Sequence, residues 1–448
     1  MKMTRMKKNA MSLTGLAVSG LIASHAWLGA QGQNPVNYLT QSDALNTSSF
    51  MANGARNWTD GQDPHSGADY VITNLVLRTP ENALNHKFAG DSLTLGTGAG
   101  VSMKSTSDTS VITVDDLRIS PGGTRIAHGT ANRIMRLHAT YTFLPTGGET
   151  PFIFRGLGAR IFVLTGTFVG TGDFTFEETL APEVAVRGFA RLDLNADLSG
   201  FEGSWSVENP VRDPAIIRHF EAHLRADDNI GSPLSTLRPD AVRLINGGGV
   251  FAATNATVTI SANLNRGITL QNGGTLGATN AASTLIVGAP VTGTGNLYKR
   301  GLGTLVLSGD NTHAAGTNIV SSGTLAVESV TGLGANPLRF SAGTTLRVAY
   351  PCGALADGFR ICGPAPLTID GTLTLNIKAA GPFPAAFSIP LFFVEAGEAA
   401  SLPLNKIVVT GGPEKDYTFT MRPVTYLGQS YTAVELCYPA QGTMILVK

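Results

Sequence analysis

Between residues 283 and 348 the hydrophobic and polar positions alternate in short bursts that return at a fixed interval. Ser283-Thr284-Leu285-Ile286-Val287 recurs as Gly303-Thr304-Leu305-Val306-Leu307 and as Gly323-Thr324-Leu325-Ala326-Val327. A looser copy, Gly343-Thr344-Thr345-Leu346-Arg347-Val348, has its apolar pair shifted by one. The starts at 283, 303, 323 and 343 lie twenty residues apart. Alternation with period two predicts half-buried strands, with Leu305 and Leu307 on one face and Thr304 and Val306 on the other. A second strand per unit is marked by Leu297, Ile319 and Leu338, with turn residues between. Helical spacing is absent. Short strands and turns in a twenty-residue period predict one coil of a parallel β-solenoid.

Upstream the same text is less regular. Val71 to Leu77, Ser92 to Leu95, Val111 to Val114 and Ile161 to Leu164 are predicted strands, punctuated by glycine turns such as Gly122-Gly123 and Gly247-Gly248-Gly249. One stretch reads as a helix, 213–225. Asp213 caps it, Pro214 suits its first position, and Ile216, Ile217, Phe220 and Leu224 make one apolar face. The expected organisation is a leader at 1–30, an N-terminal cap at 31–64, irregular solenoid at 65–209, a helix-bearing insertion at 210–240, regular solenoid at 241–375 and a C-terminal β cap or docking domain at 376–448. The fold class is all-β: a parallel β-helix with a short helical insertion and a small C-terminal β cap.

Composition supports this and narrows the partners. Glycine is 53 of 448 residues, and charged residues are 14%, against roughly 25% in an average soluble domain. Lys+Arg and Asp+Glu number 32 each, so the basic excess of a nucleic-acid binder is missing. An apolar share of 43% with no net charge argues against disorder.

The first thirty residues read as a signal peptide. Lys2, Arg5, Lys7 and Lys8 precede an apolar run at 11–22, and small residues offer cleavage after Ala26 or Ala30. Export is expected, with no membrane span after cleavage, and a surface, extracellular or periplasmic location. Three cysteines remain, Cys352, Cys362 and Cys437. Export permits a Cys352–Cys362 staple, with buried inert thiols as the alternative.

The segment from Gly293 to Val327 carries a longer signature. It reads Gly293-x-Gly295-x-Leu297-x-Lys299-x-Gly301-x-Gly303-Thr304-Leu305-x-Leu307-Ser308-Gly309-x-Asn311-Thr312, then Gly316-Thr317, then Gly323-Thr324-Leu325-x-Val327. This closely resembles the autotransporter-associated β-strand repeat, also called the passenger-associated transport repeat. His313 stands where an aromatic is usual and Ala315 where glycine often sits. The resemblance implies a right-handed parallel β-helix, exported and displayed at a bacterial cell surface, whose motif is structural and holds no catalytic residue. It further implies passage across an outer membrane. The segment after Val327 does not read as membrane-barrel strands, so a separate outer-membrane translocator is the expected partner in one reading.

Candidate chemistry is sparse. His219 and His223 would share a helix face with metal-ligand spacing, but Glu221 is out of the zincin order and no third ligand is evident. Asp115-Asp116, Asp193 with Asp197, and Asp227-Asp228 are the carboxylate pairs that acid–base or calcium chemistry would need. Solvated turn carboxylates are the commoner reading. Trp58, Tyr70 and Trp205 are candidates for stacking on sugars, with core packing the alternative. The sequence thus commits to no catalytic, metal or cofactor-binding residue and to no cofactor. It favours a non-catalytic exported β-helix, a surface scaffold or adhesin-like passenger module touching glycans or cell-surface components. The alternative is a carbohydrate-active β-helix, a polysaccharide lyase or glycoside hydrolase, which needs carboxylates and basic residues converging on one face.

Overall fold

The computed structural model describes residues 34–438 except 45–46, 52–54, 82–83, 104–106, 123, 129–132, 146–151, 156–158, 178–189, 210–219, 351–358, 362–365, 380, 384–385, 396, 413–416 and 427. The chain divides into a unit Met1–Pro35 and a unit Val36–Lys448, and the second holds the described strands.

The described residues of this unit form strands joined by turns, with four short 3-10 turns. The strands line up in three parallel ladders of sixteen, nine and seven strands, and a terminal sheet of four. Each ladder runs along the solenoid axis, so every coil hydrogen-bonds the coil before and after it. Neighbouring strands in such a ladder lie about 4.8 Å apart.

The regular coils show how the sequence sets the register. Thr284–Val287 pairs with Thr304–Leu307 residue for residue, and that strand pairs with Thr324–Val327 in the same way. Inward columns then stack like on like: Leu285, Leu305 and Leu325 in one, Val287, Leu307 and Val327 in the next, all within the core. The looser fourth copy enters one residue late, because Thr324 pairs with Thr345 and Leu325 with Leu346. A one-residue slip would turn Leu346 outward, so burial enforces the shift.

The second strand of each unit departs from its expected marker. Leu297 pairs with Asn318, and Asn318 with Leu338. Ile319 therefore lies in the outward column with Tyr298 and Arg339. A buried asparagine occupies the leucine column instead, and its Nδ2 donates to the Leu333 carbonyl at 2.8 Å.

The helix expected over 213–225 is corrected for the residues described there. Phe220–Leu224 is a strand, paired in parallel with Ala190–Leu194 on one side and Gly249–Ala252 on the other. Phe220, Ala222 and Leu224 point into the core. The same letters fit a period of two as well as a helical face, and the ladder on both sides decides between them. Residues 213–219 lie outside the described set. The short helix of this region is the 3-10 turn Asp227–Ile230.

The core continues through the first and last described strands. Near the start, the strand Val36–Tyr38 is flanked by residues 57–59 through the Leu39–Trp58 bridge and the Thr59 N–H to Tyr38 carbonyl bond. Behind them Phe50, Trp58, Tyr70 and Phe88 pack ring against ring. At the far end the terminal sheet contains Phe387–Glu395, which pairs antiparallel with Gln429–Tyr438, itself antiparallel to Thr418–Tyr426. Its residues Ile389, Leu391, Phe392, Val434 and Leu436 belong to the continuous core.

Candidate functional site

Two features need placing: the motif segment and the scattered ionisable groups. The motif segment passes twice between two ladders: Leu297–Arg300 and Asn318–Val320 lie in the sixteen-stranded one, Thr304–Leu307 and Thr324–Val327 in the seven-stranded one, with a glycine corner at Gly301-Leu302-Gly303. Lys299 sits in the inward column between Leu276 and Val320, and it is 2% exposed. Its Nζ donates to the carbonyls of Arg300 at 3.1 Å, Gly301 at 2.6 Å and Ser322 at 2.8 Å. An ammonium with three donors suits three converging carbonyls. Burial pulls its pKa down to about 7, because the charged form loses its hydration. The glycines of this corner are needed for approach. At Gly301, with φ +76°, a Cβ would lie 2.1 Å from the Ala278 carbonyl oxygen.

Asparagines finish the segment. The Asn311 Oδ1 accepts from the Val291 N–H at 3.2 Å, and its Nδ2 donates to the Gly332 carbonyl. Asn336 Nδ2 donates to the His313 carbonyl at 2.7 Å. His313 is buried, and no hydrogen bond of good geometry reaches either ring nitrogen. Burial pushes its pKa down to about 4, only partly offset by the nearby Asn318 amide.

Upstream, Arg266 plays a related part without belonging to the motif. It is fully buried. Nε donates to the Ser232 carbonyl at 2.6 Å, and the two terminal nitrogens donate to Gly203 at 2.8 Å and Phe201 at 2.7 Å. Burial lowers its pKa to about 10, with Arg238 adding repulsion and Glu202 opposing it. Sequence reasoning gave this residue no role, since its carbonyl partners lie 34, 63 and 65 residues away along the chain.

The candidate carboxylates are mostly held in local pairs. Asp115 meets Lys87 at 2.6 Å and Asp116 meets Arg118 at 2.8 Å. Asp197 Oδ1 accepts from the Ser199 N–H at 2.7 Å, and Asp227 Oδ1 accepts from the Thr259 N–H at 2.6 Å. Asp193 and Asp197 fall on separate strands, Ala190–Leu194 and Asp197–Phe201. Trp58, Tyr70 and Trp205 are core residues, which closes the sugar-stacking option for all three. Cys437 is a free thiol; Cys352 and Cys362 lie outside the described residues, and so does His219.

One group converges. Strand pairing sets Arg191 beside Glu221 and Asp193 beside His223. These four side chains alternate with the inward Leu192, Ala222 and Leu224, so they share the outer face. Arg191 contacts Asp193 at 2.7 Å, and His223 Nε2 lies 3.1 Å from Glu221 Oε2. The Phe251 ring stacks on His223, with centroids 5.4 Å apart. Arg300, poised over the Tyr298 ring, feels the Glu221 charge, which partly offsets a burial-driven lowering of its pKa. Glu221 and His223 are both nearly covered. No group of three metal-ligating side chains is found among the described residues.

A cavity of about 230 Å³ lies near the start, lined by Ser42, Asp43, Val76, Arg78, Gly100, Val101 and Ser102. The Asp43 carboxylate there already accepts from Ser49, Asn57 and the Arg78 N–H. Among the described residues no helix is long and apolar enough to cross a membrane.

Comparison with known proteins agrees with the geometry. The family model of the passenger-associated-transport-repeat matches residues 297–327, the span holding Lys299, Asn311 and the Thr324–Val327 strand. The Adhesin BmaC autotransporter of Brucella suis biovar 1 (strain 1330) is 41% identical over 108 residues, which are 24% of this chain and 3% of that protein. No solved structure matches. The chain thus carries a passenger-associated transport repeat, built into successive coils of an all-β parallel solenoid.

Proposed function

We propose that this chain is an exported, non-catalytic β-solenoid module of the autotransporter-passenger kind, displayed at the bacterial surface and adhesin-like in role. The observation that carries the reading is the transport repeat in register within a continuous parallel ladder, together with an adhesin among its relatives. A solenoid face repeats its chemistry at every coil. Here Thr284, Thr304, Thr324, Thr345 and Thr374 stand in one outward column. Such a face suits weak multivalent contacts with glycans or other cell-surface components, each individually modest and jointly strong. Passage across the outer membrane would rely on a translocator.

The test is to express a tagged copy in the native host and treat intact cells with protease. Loss of the tag from intact cells and reduced cell attachment on deletion are expected. Retention of the tag in a protease-protected compartment would end the surface reading.

A second reading, a carbohydrate-active β-helix, is favoured by one observation: Arg191, Asp193, Glu221 and His223 share one outer face. Within that block each carboxylate is held by the basic group two residues away, which favours a structural role. Release of reducing ends or unsaturated sugars from a polysaccharide panel, abolished by Glu221→Gln, would reverse the preference.

A further inference from the structure

The transport repeat is nearly empty of ionisable residues, and the two that it buries face no counter-ion. Between Gly267 and Leu338 the ionisable side chains are Tyr298, Lys299, Arg300, Asp310, His313 and Glu328. Tyr298 and Arg300 stand on the outer face, on either side of the inward Lys299. Asp310 and Glu328 are exposed, and the Asp310 carboxylate accepts from the Thr331 hydroxyl. Of the six, Lys299 and His313 are the buried ones.

Their neighbours cannot neutralise a charge. Lys299 lies between Gly274–Ala278 and Asn318–Val320, and the strands Thr284–Val287, Thr304–Leu307 and Thr324–Val327 line the same core. None of these five strands holds an ionisable residue. The stretch around His313 is bonded by residues 291–294 on one side and 331–336 on the other, and neither holds one. The His313 ring faces the Asn318 amide, whose Oδ1 is buried without a good hydrogen bond. A protonated ring carries two N–H donors, and this oxygen is one acceptor for both.

The ladder is also narrow here. Leu297–Arg300, Asn318–Val320 and Leu338–Phe340 pair over three residues at each step. Downstream, Thr344–Tyr350 and Leu373–Ala379 pair over seven. Far upstream, Arg133–Phe143 and Ala159–Gly170 pair over eleven. Each coil of a solenoid is held by its neighbours, so a narrow section opens at lower cost than the wide sections beyond it.

We propose that the transport repeat is an acid-opened section of the solenoid, in which a proton on His313 adds a second uncompensated charge to a core that already holds the Lys299 ammonium. The coils over 297–340 then part, and the coils on either side stay closed. The direction follows from burial. The pKa of His313 is pushed down to about 4, against an ordinary 6.5, so the open form gains steadily as pH falls through that interval. The inference rests on the fold and is independent of the adhesin reading.

Hydrogen exchange read by mass spectrometry on the full chain tests it, at pH 7.5 and pH 4.5, with protection corrected for the intrinsic exchange rate at each pH. Asn318–Val320 and Leu338–Phe340 are expected to lose about fiftyfold in protection at the acid pH. Gly249–Ala252 and Phe387–Glu395, on either side of the section, are expected to lose several times less. His313→Phe removes the local loss and leaves the flanking strands as they were. Circular dichroism checks that the variant is folded, and His313→Leu stands in if it is not. Unchanged protection of the repeat at acid pH overturns the inference. So does an equal loss along the whole solenoid, or a local loss that survives in the folded His313 variant.

Discussion

Lys299 and Ser322 tie neighbouring coils together across a corner, the Lys299 ammonium donating to the Ser322 carbonyl at 2.8 Å from inside the solenoid. The same ammonium serves Arg300 and Gly301, and no carboxylate is paired with it among the described residues. Its desolvation is thus opposed by carbonyl dipoles alone. With a folded pKa of about 7 against an ordinary value of 10.5, the unfolded chain holds this proton more tightly over the interval between them. Stability therefore rises as pH climbs from 7 toward 10.5. Relative to Lys299→Met, the unaltered chain gains roughly 2–3 kcal/mol between pH 7 and pH 9. Urea unfolding of both proteins at the two pH values reads this directly; parallel pH profiles would show that Lys299 keeps its ordinary proton affinity.

His313 gives the complementary acid-side prediction. Its folded pKa of about 4 lies below the ordinary 6.5, so the unfolded chain binds the extra proton first as the solution is acidified. Stability contributed by the neutral ring is full above pH 6.5 and is lost as pH falls toward 4. His313→Phe removes both the titration and two ring nitrogens without good hydrogen bonds. We expect it to raise stability at pH 7 by about 1 kcal/mol and to flatten the profile between pH 4 and 6.5. Thermal melts across that range check both statements, and an unchanged acid slope in the variant would refute the assignment.

Arg266 is the strongest candidate for a single-residue lock. It bonds the carbonyls of Phe201, Gly203 and Ser232, and so joins three stretches of chain that are far apart in sequence. Arg266→Leu strands three buried acceptors at once and should cost about 3–5 kcal/mol. Arg266→Lys should recover little, because a point-like ammonium cannot reach three divergent oxygens as the planar guanidinium does. At Gly231, φ +122°, a Cβ would sit 2.6 Å from the Arg266 Cζ, so Gly231→Ala should fail in the same direction. Denaturant midpoints of the three variants order these effects.

The legible and illegible parts of this fold divide along physical lines. The Leu285–Leu305–Leu325 column was readable because identical side chains must stack when coils repeat, and burial forbids a slip. Even the one-residue delay at Thr345 and Leu346 was visible in the spelling. Residues 220–224 were misread because Phe220, Glu221, Ala222, His223 and Leu224 satisfy two periodicities. Only the strands on either side, distant in sequence, select the strand. Asn318 was hidden for a different reason: a polar residue in an apolar column is recognisable only once its carbonyl partner at Leu333 is known. Likewise the outer-face block of Arg191, Asp193, Glu221 and His223 depends on the pairing of two strands about thirty residues apart. Carboxylate spacing alone had pointed to Asp193 with Asp197 instead.

The two faces of a repeat strand should respond very differently to truncation. Leu325 is 2% exposed in a column of leucines, whereas Thr324 lies half-buried on the outer face. Leu325→Ala removes three carbon atoms from a close-packed column and should cost about 2–5 kcal/mol. Thr324→Ala deletes a hydroxyl and a methyl from a partly solvated face and should stay within about 0.5 kcal/mol. Because each coil rests on its neighbours, the Leu325 loss should also open the adjacent coils. Hydrogen exchange would then show faster exchange in Thr304–Leu307 and Thr344–Tyr350 as well as in Thr324–Val327. Faster exchange confined to Thr324–Val327 would mean that coils fold as isolated units and that the column does not transmit stability along the axis.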